Sequence, residues 1–269
     1  MRSKITNQIR LALYLSTSSV SKTRRVPSVE PYILHWVSFL NEPDRQFRTI
    51  APLWHTLLLL VFVLSPTHVW STVFESIGIN PHGRLSKYAI TVGIQWLLIL
   101  FVAVGLRVRH RSLSSLIGRT WTKARYFSED LTAALLFSIC VVVLGVFLFI
   151  LFGSPVLERR PSAILPQSLP ELIGWVPLAI SAAVVEELIF RGYFLQQATA
   201  YTGSVNSAIC MQAVVFSLSH GYSQTLAGFS HKFILGLLFG FLTKYRKGIL
   251  PATISHSIFD ITAGVVGFL

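Results

Sequence analysis

Charge is what this 269-residue chain has least of: 13% of its residues are charged, against about a quarter in soluble domains, while 52% are hydrophobic. That balance excludes a protein whose surface meets water throughout. Cysteine is nearly absent as well. Cys140 and Cys210 each lie within an apolar segment, without the paired spacing of a zinc or redox motif. No neighbouring feature would stabilise a thiolate, so both are expected to be packing residues. The chain has no repeat of fixed period and no His-Glu-x-x-His motif. Acid is scarce too, at 11 residues against 23 lysines and arginines, for a net charge of +12. Such a charge can signal a nucleic-acid binder. Here the basic residues flank apolar runs instead of forming a basic domain, so no nucleic acid is expected as a partner; the same flanks attract anionic lipid headgroups.

What the chain does have is long apolar runs. Residues 131–153 carry no ionisable side chain except the thiol of Cys140, and about 20 such residues span a bilayer core. Further segments are expected at 50–69, 88–106, 172–200, 205–219, 233–245 and 249–269. The fold class is therefore all-α, a polytopic membrane bundle of about seven segments, some of them short, tilted or re-entrant. A basic tail, 1–49, precedes it. Its first 29 residues hold six Lys and Arg residues and no acid, and the tail reads as a cytoplasmic N-terminus, although an organellar transit peptide shares that composition. Arg107, Arg109, Arg111, Arg119, Lys123 and Arg125 form a basic connection in which Leu113, Leu116, Ile117 and Trp121 suggest an amphipathic interfacial helix. On this reading, 50–153 is an N-terminal membrane part, 154–170 a proline-rich connection, and 171–269 the working part. If all seven segments cross, the cluster at Lys244, Arg246 and Lys247 falls on the same side as the tail.

Only Glu186, Glu187 and Asp260 among the acids lie inside the expected apolar segments. A charge at the bilayer centre costs at least about 2.5 kcal/mol, so such residues face a protein interior or a wet cavity. Glu187 and Arg191 are four apart, on one helix face, where they can pair. Glu186 is turned about 100° away and is free for another partner. Phe216-x-x-x-His220 sets an aromatic ring beneath a histidine at the end of an apolar run. His231 sits beside Lys232, before the next segment, and reads as interfacial. His256-x-x-x-Asp260 aims two polar groups the same way, where they could bind metal, hold a water or orient an imidazole. A glutamate and histidines in a shielded cavity supply a base for water and groups for a tetrahedral oxyanion.

The three motifs Glu186-Glu187-x-x-x-Arg191, Phe216-x-x-x-His220 and His256-x-x-x-Asp260, in that order, resemble those of the CAAX prenyl protease 2 family. That family includes lysostaphin resistance protein A-like and bacteriocin-processing proteins. The resemblance covers roughly residues 170–269 and none of the first 130. It implies an intramembrane endopeptidase in which Glu186 activates water with the help of His220. His256 and Asp260 would hold the oxyanion or complete the site, with Glu187, Arg191 and Phe216 in support. Asp260 stands where the family often has asparagine, and an ionised aspartate cannot donate a hydrogen bond. The family is commonly described as metalloprotease-like. Glu186, His220, His256 and Asp260 could serve a zinc ion, or Glu186 could act without metal; the metal-free reading is preferred.

The expected partners are a peptide or lipidated protein substrate and membrane lipids, in a bacterial cytoplasmic membrane or, alternatively, an organellar one. Two other functions fit the same residues. One is a catalytically silent membrane scaffold or binding protein. The other is a proton-coupled transporter, which the missing repeat disfavours.

Overall fold

The computed structural model describes residues 49–65, 76, 82–152, 164–220 and 226–268. The chain divides into two compact units, Met1–Asp44 and Arg45–Leu269, and all described residues fall in the second. The basic tail at 1–48 and most of the proline-rich connection at 154–170 lie outside the described residues.

Among the described residues the architecture is helical, without a strand. In chain order the elements are α1 (Leu53–Leu64), α2 (Arg84–Val108), α3 (Ala124–Phe152), α4 (Leu169–Glu187), a π-helical turn (Leu188–Phe194), α5 (Leu195–Thr202), α6 (Val205–Ser219), α7 (Leu226–Arg246) and α8 (Leu250–Phe268). Three stretches are long and apolar enough to cross a bilayer: Arg84–Val108, Ala124–Phe147 and Leu169–Thr202. These mark an integral membrane protein. Of the seven or so spans expected, three helices among the described residues have that length and apolarity, and α1 and α6 are apolar but short at 12 and 15 residues.

Local chemistry accounts for where these helices begin and end. Ser168 caps α4 by accepting from the Glu171 N–H at 3.4 Å, Pro170 occupies the first turn, and Glu171 reaches back to the Gln167 N–H at 2.8 Å. Serine, proline and glutamate each satisfy or remove a backbone donor that a helix start leaves bare. Gly203, at φ 69°, ends α5 in a left-handed cap, and Ser204 immediately caps α6 through the Ser207 N–H. A tight reversal results, laying α5 against α6.

α3 shows which way the helices face. Leu135, Leu136, Ile139, Val142, Val143, Val146, Phe147 and Ile150 are all exposed, at the spacing of one helical stripe. The opposite side turns Ser138 inward to the Ser255 hydroxyl of α8, 2.8 Å away. Apolar outside and polar inside is the arrangement lipid favours, since a polar group in hydrocarbon needs a partner. Cys140 falls in the outward stripe, and Cys210 is exposed on α6. The expectation that the cysteines pack the interior is corrected accordingly.

The N-terminal segment and its helices are tied to the π turn and α5 by buried polar groups. Gln197 accepts from the N–H groups of Ile50 and Ala51 and donates to the Ala51 carbonyl at 2.8 Å. Tyr193 hydroxyl contacts His55 Nδ1 at 2.8 Å and Thr56 Oγ1 at 2.9 Å. His55 Nε2 donates to the Phe101 carbonyl of α2 at 2.9 Å, so its Nδ1 accepts from Tyr193.

The basic connection corrects a second expectation. In place of an amphipathic helix across Leu113, Leu116, Ile117 and Trp121, the chain makes a single 3-10 turn, Leu113–Leu116. Its Leu116 is buried in the core against Gly192 of the π turn, where an added Cβ would come within 2.9 Å of the leucine's own. Gly118, at φ 73°, then stops the helix and forms an antiparallel bridge with Gly248. Arg119 N–H donates to the Lys247 carbonyl at 2.8 Å and Ile249 N–H to the Ile117 carbonyl at 3.0 Å. A side chain at Gly118 would strike the Lys247 backbone. The two basic segments thus meet at one end of the bundle.

A third correction concerns the acids. α3 begins at Ala124, seven residues before the expected 131, and so takes in Glu129 and Asp130, while α4 takes in Glu171. Asp130 is 1% exposed. It accepts from Arg119, from Arg246 Nε at 2.9 Å and from Trp121 Nε1 at 3.0 Å. The basic connection, α3 and the end of α7 are joined there. Asp130→Ala is expected to lower stability by about 3 kcal/mol, the scale of losing charge-assisted bonds to two arginines that retain some access to water. Chemical denaturation followed by tryptophan fluorescence in detergent checks this, and a loss below about 0.5 kcal/mol would refute it.

Candidate active site

α4 runs straight into the π turn, and the junction carries the two glutamates. A π turn places one extra residue in the ladder and changes the phase of the side chains that follow, a distortion often found at functional sites. At the junction Glu187 points into the protein and is 0% exposed, whereas the Glu186 side chain keeps 31% exposure. One step in sequence separates a sealed carboxylate from one that meets the outside.

Glu187 Oε1 accepts from two cationic or potentially cationic groups at once: Arg191 Nη1 at 2.9 Å and His256 Nδ1 at 2.9 Å. The i, i+4 relation of Glu187 and Arg191 brings the first, and α8 packed against α4 brings the second. Arg191, 1% exposed, has its guanidinium between two rings, 4.4 Å from the Phe216 centroid and 5.0 Å from that of Phe239. Such stacking offsets part of the cost of burying the cation. Phe239 also stacks on the His256 ring, with centroids 5.4 Å apart.

With Nδ1 committed to Glu187, the other nitrogen of His256 faces the two remaining carboxylates. Nε2 lies 3.8 Å from Glu186 Oε2 and 3.6 Å from Asp260 Oδ2. These are ion-pair separations longer than a hydrogen bond. Glu186 Oε2 has no hydrogen-bond partner among the described residues. Asp260 keeps 33% exposure, and its carbonyl accepts from Trp175 Nε1 of α4 at 2.8 Å.

His220 closes α6. Its Nδ1 donates to the Phe216 carbonyl at 2.8 Å, with the Phe216 ring centroid 4.5 Å from its own. That bond fixes the tautomer of a neutral ring and leaves Nε2 as an acceptor. His220 lies within electrostatic reach of His256, Arg191 and Lys232. Lys232 also acts on Asp260.

The structure thus brings Glu186, Glu187, Arg191, His256 and Asp260 together directly, with Phe216 against Arg191 and His220 at the edge. The metal-ligand set Glu186, His220, His256 and Asp260 does not fit an ion. Among the described residues no group of three or more His, Cys, Asp or Glu side chains is arranged to hold one. No step is therefore routed through a metal.

Sequence reasoning missed three contributors. α7 starts at Leu226, so His231 and Lys232 lie inside it, not before it, and Lys232 joins the site. Phe239 and Trp175 are the others. A helix extended back to Leu226 puts Phe239 two turns after Lys232, a spacing the expected start at 233 concealed.

A helical membrane protein with a carboxylate and histidine site at the meeting of α4, α6 and α8 is the class these observations define. Residues 168–262 match the model of a family described as Rce1-like, type II CAAX prenyl endopeptidase, a match that supports a CAAX protease kinship for that part of the chain. No curated protein matches the chain, and no solved structure does either.

Proposed function

We propose that residues 171–269 form an intramembrane endopeptidase domain that hydrolyses a peptide bond with a water activated by Glu186. The observation that carries this reading is the division of the glutamates: Glu187 is sealed and committed through Oε1 to Arg191 and His256, while the Glu186 side chain keeps 31% exposure beside His256. A base must reach both water and protein-held donors, and only the second carboxylate suits that.

In this mechanism Glu186 takes a proton from water as the oxygen attacks the scissile carbonyl. His220 Nε2, an acceptor in the tautomer set by Phe216, orients that water. The tetrahedral oxyanion that forms needs a donor, and His256 Nε2, when protonated, supplies it from an imidazole held by Glu187. Asp260, whose Oδ2 lies 3.6 Å from the same nitrogen, favours the protonated ring through its charge. Glu186 then passes its proton to the leaving amine, so protons balance. Glu187, Arg191 and Phe216 act through His256 and the packing around it.

The family description supports a peptide or prenylated protein substrate presented at the membrane. The deciding experiment compares the proteomes of the native host carrying wild type or Glu186→Ala. The expected result is accumulation of an uncut precursor in the variant. Identical proteomes in both strains, with the protein expressed equally, would sink the reading in favour of a silent scaffold.

A further inference from the structure

The hydrolytic mechanism leaves His55 of α1 unused, although its ring is fully buried. Its two nitrogens fix the direction of every bond around it. Nε2 must donate to the Phe101 carbonyl, which leaves Nδ1 to accept the one proton of Tyr193. The Tyr193 oxygen must then accept at its 2.9 Å contact with Thr56, so the Thr56 proton goes there and not to the Pro52 carbonyl at 3.3 Å. Thr56 in turn accepts from Gln197 Nε2 at 3.0 Å. A one-way relay results, from Gln197 through Thr56, Tyr193 and His55 to the backbone of α2. The imidazole has a fixed seat as well: it stacks on the Phe101 ring, with centroids 4.2 Å apart, and a Cβ added at Gly105 would strike it.

This relay grips the far side of the π turn. Tyr193 is the sixth of the seven residues of the turn, and Gln197 follows four residues later in α5. The turn keeps its extra residue through bonds such as that from the Leu195 N–H to the Phe190 carbonyl, five residues back. Were it to rewind as α-helix, the side chains beyond it would rotate by about 100° relative to Glu186. Stability alone does not account for so many buried polar groups. Apolar residues of the same shape can replace both partners of a buried hydrogen bond at little cost, whereas a satisfied polar network specifies one arrangement.

We infer that His55 and Tyr193 are positioning residues: with Thr56 and Gln197 they hold the π turn wound, and so set Glu186 in phase with Arg191, Glu187 and His256. The effect on cleavage rests on the endopeptidase reading; the hold on the turn does not. On this assignment α1 belongs to the machinery of the site, although it lies outside the matched residues 168–262.

The test follows amide hydrogen exchange by mass spectrometry in the full-length protein in detergent, beside cleavage of the precursor that accumulates in the Glu186→Ala host. Tyr193→Phe and His55→Leu are expected to speed exchange at amides 188–197 about tenfold, the scale of one lost hydrogen bond, and to leave α3 unchanged. In both, kcat should fall about 10²-fold with KM nearly constant, because the base is misplaced while substrate binding is untouched. His55→Gln is expected to restore both readings, since its amide oxygen can accept from Tyr193 while its nitrogen donates to the Phe101 carbonyl. Unchanged exchange at 188–197 would overturn the proposal whether or not the protein cleaves anything. So would faster exchange throughout the chain, unchanged cleavage, or a loss that His55→Gln shares with His55→Leu, each of which would mark the relay as packing alone. Faster exchange confined to the turn, in a protein whose wild type cuts no precursor, would support the hold on the turn and sink the endopeptidase reading instead.

Discussion

Glu186→Gln is expected to slow cleavage of a membrane-presented peptide by about 10²–10⁴-fold, the range that removing a general base produces. The unfolding midpoint should stay close to that of wild type. Glutamine keeps the shape and removes only the basicity. Little structure depends on the charge, since Glu186 Oε2 makes no hydrogen bond among the described residues and its nearest cationic neighbour, His256 Nε2, is 3.8 Å off. Single-turnover cleavage in proteoliposomes beside thermal unfolding in detergent separates the two effects. Full turnover in the variant would remove Glu186 from the chemistry.

The neighbouring residue should behave in the opposite way. Glu187→Ala leaves Arg191 as an uncompensated cation in the interior and takes from His256 the acceptor of its Nδ1 proton. Removing one partner of a buried pair costs about 3–5 kcal/mol. No discount for solvent applies, because both side chains are 0% exposed. The control is a second change, Arg191→Met, which removes the stranded charge and fills its space between Phe216 and Phe239. The double variant is expected to recover most of the lost stability without recovering cleavage, because His256 remains unheld. Denaturant midpoints for the single and double variants decide the matter: equal midpoints would mean that no charge was stranded. Together the two substitutions tell a base from a brace.

Much of this was legible from residue order alone, and the reasons are physical. Helix existence followed from apolar length, and the segment expected at 205–219 coincides with α6. Boundaries were less legible where polar residues belong to a helix end. α3 extends back to Ala124 because Asp130 finds partners there, Arg246 among them from far along the chain, and α7 extends back to Leu226. Local pattern carries no information about such partners, which is also why the basic connection read as an amphipathic helix. Leu113, Leu116 and Ile117 do face inward, but Leu116 answers to a hollow over Gly192 and the turn at Gly118 to the Lys247 backbone. Within the site, the spacing of Glu187 and Arg191 made their meeting readable. The attachment of His256 to Glu187, in preference to its own helix neighbour Asp260, depends on how α8 lies against α4. Spacing alone does not encode that.

The carboxylate of Asp130 joins Arg246, 116 residues further along the chain. Neither residue can find the other until α4, the π turn, α5, α6 and α7 have taken their places. The bond is therefore a record of completed assembly, made after the helices between its ends. Contacts formed so late hold back disassembly more than they hasten assembly. Weakening this one should shorten the lifetime of the finished protein in the membrane while leaving the pace of its construction nearly untouched.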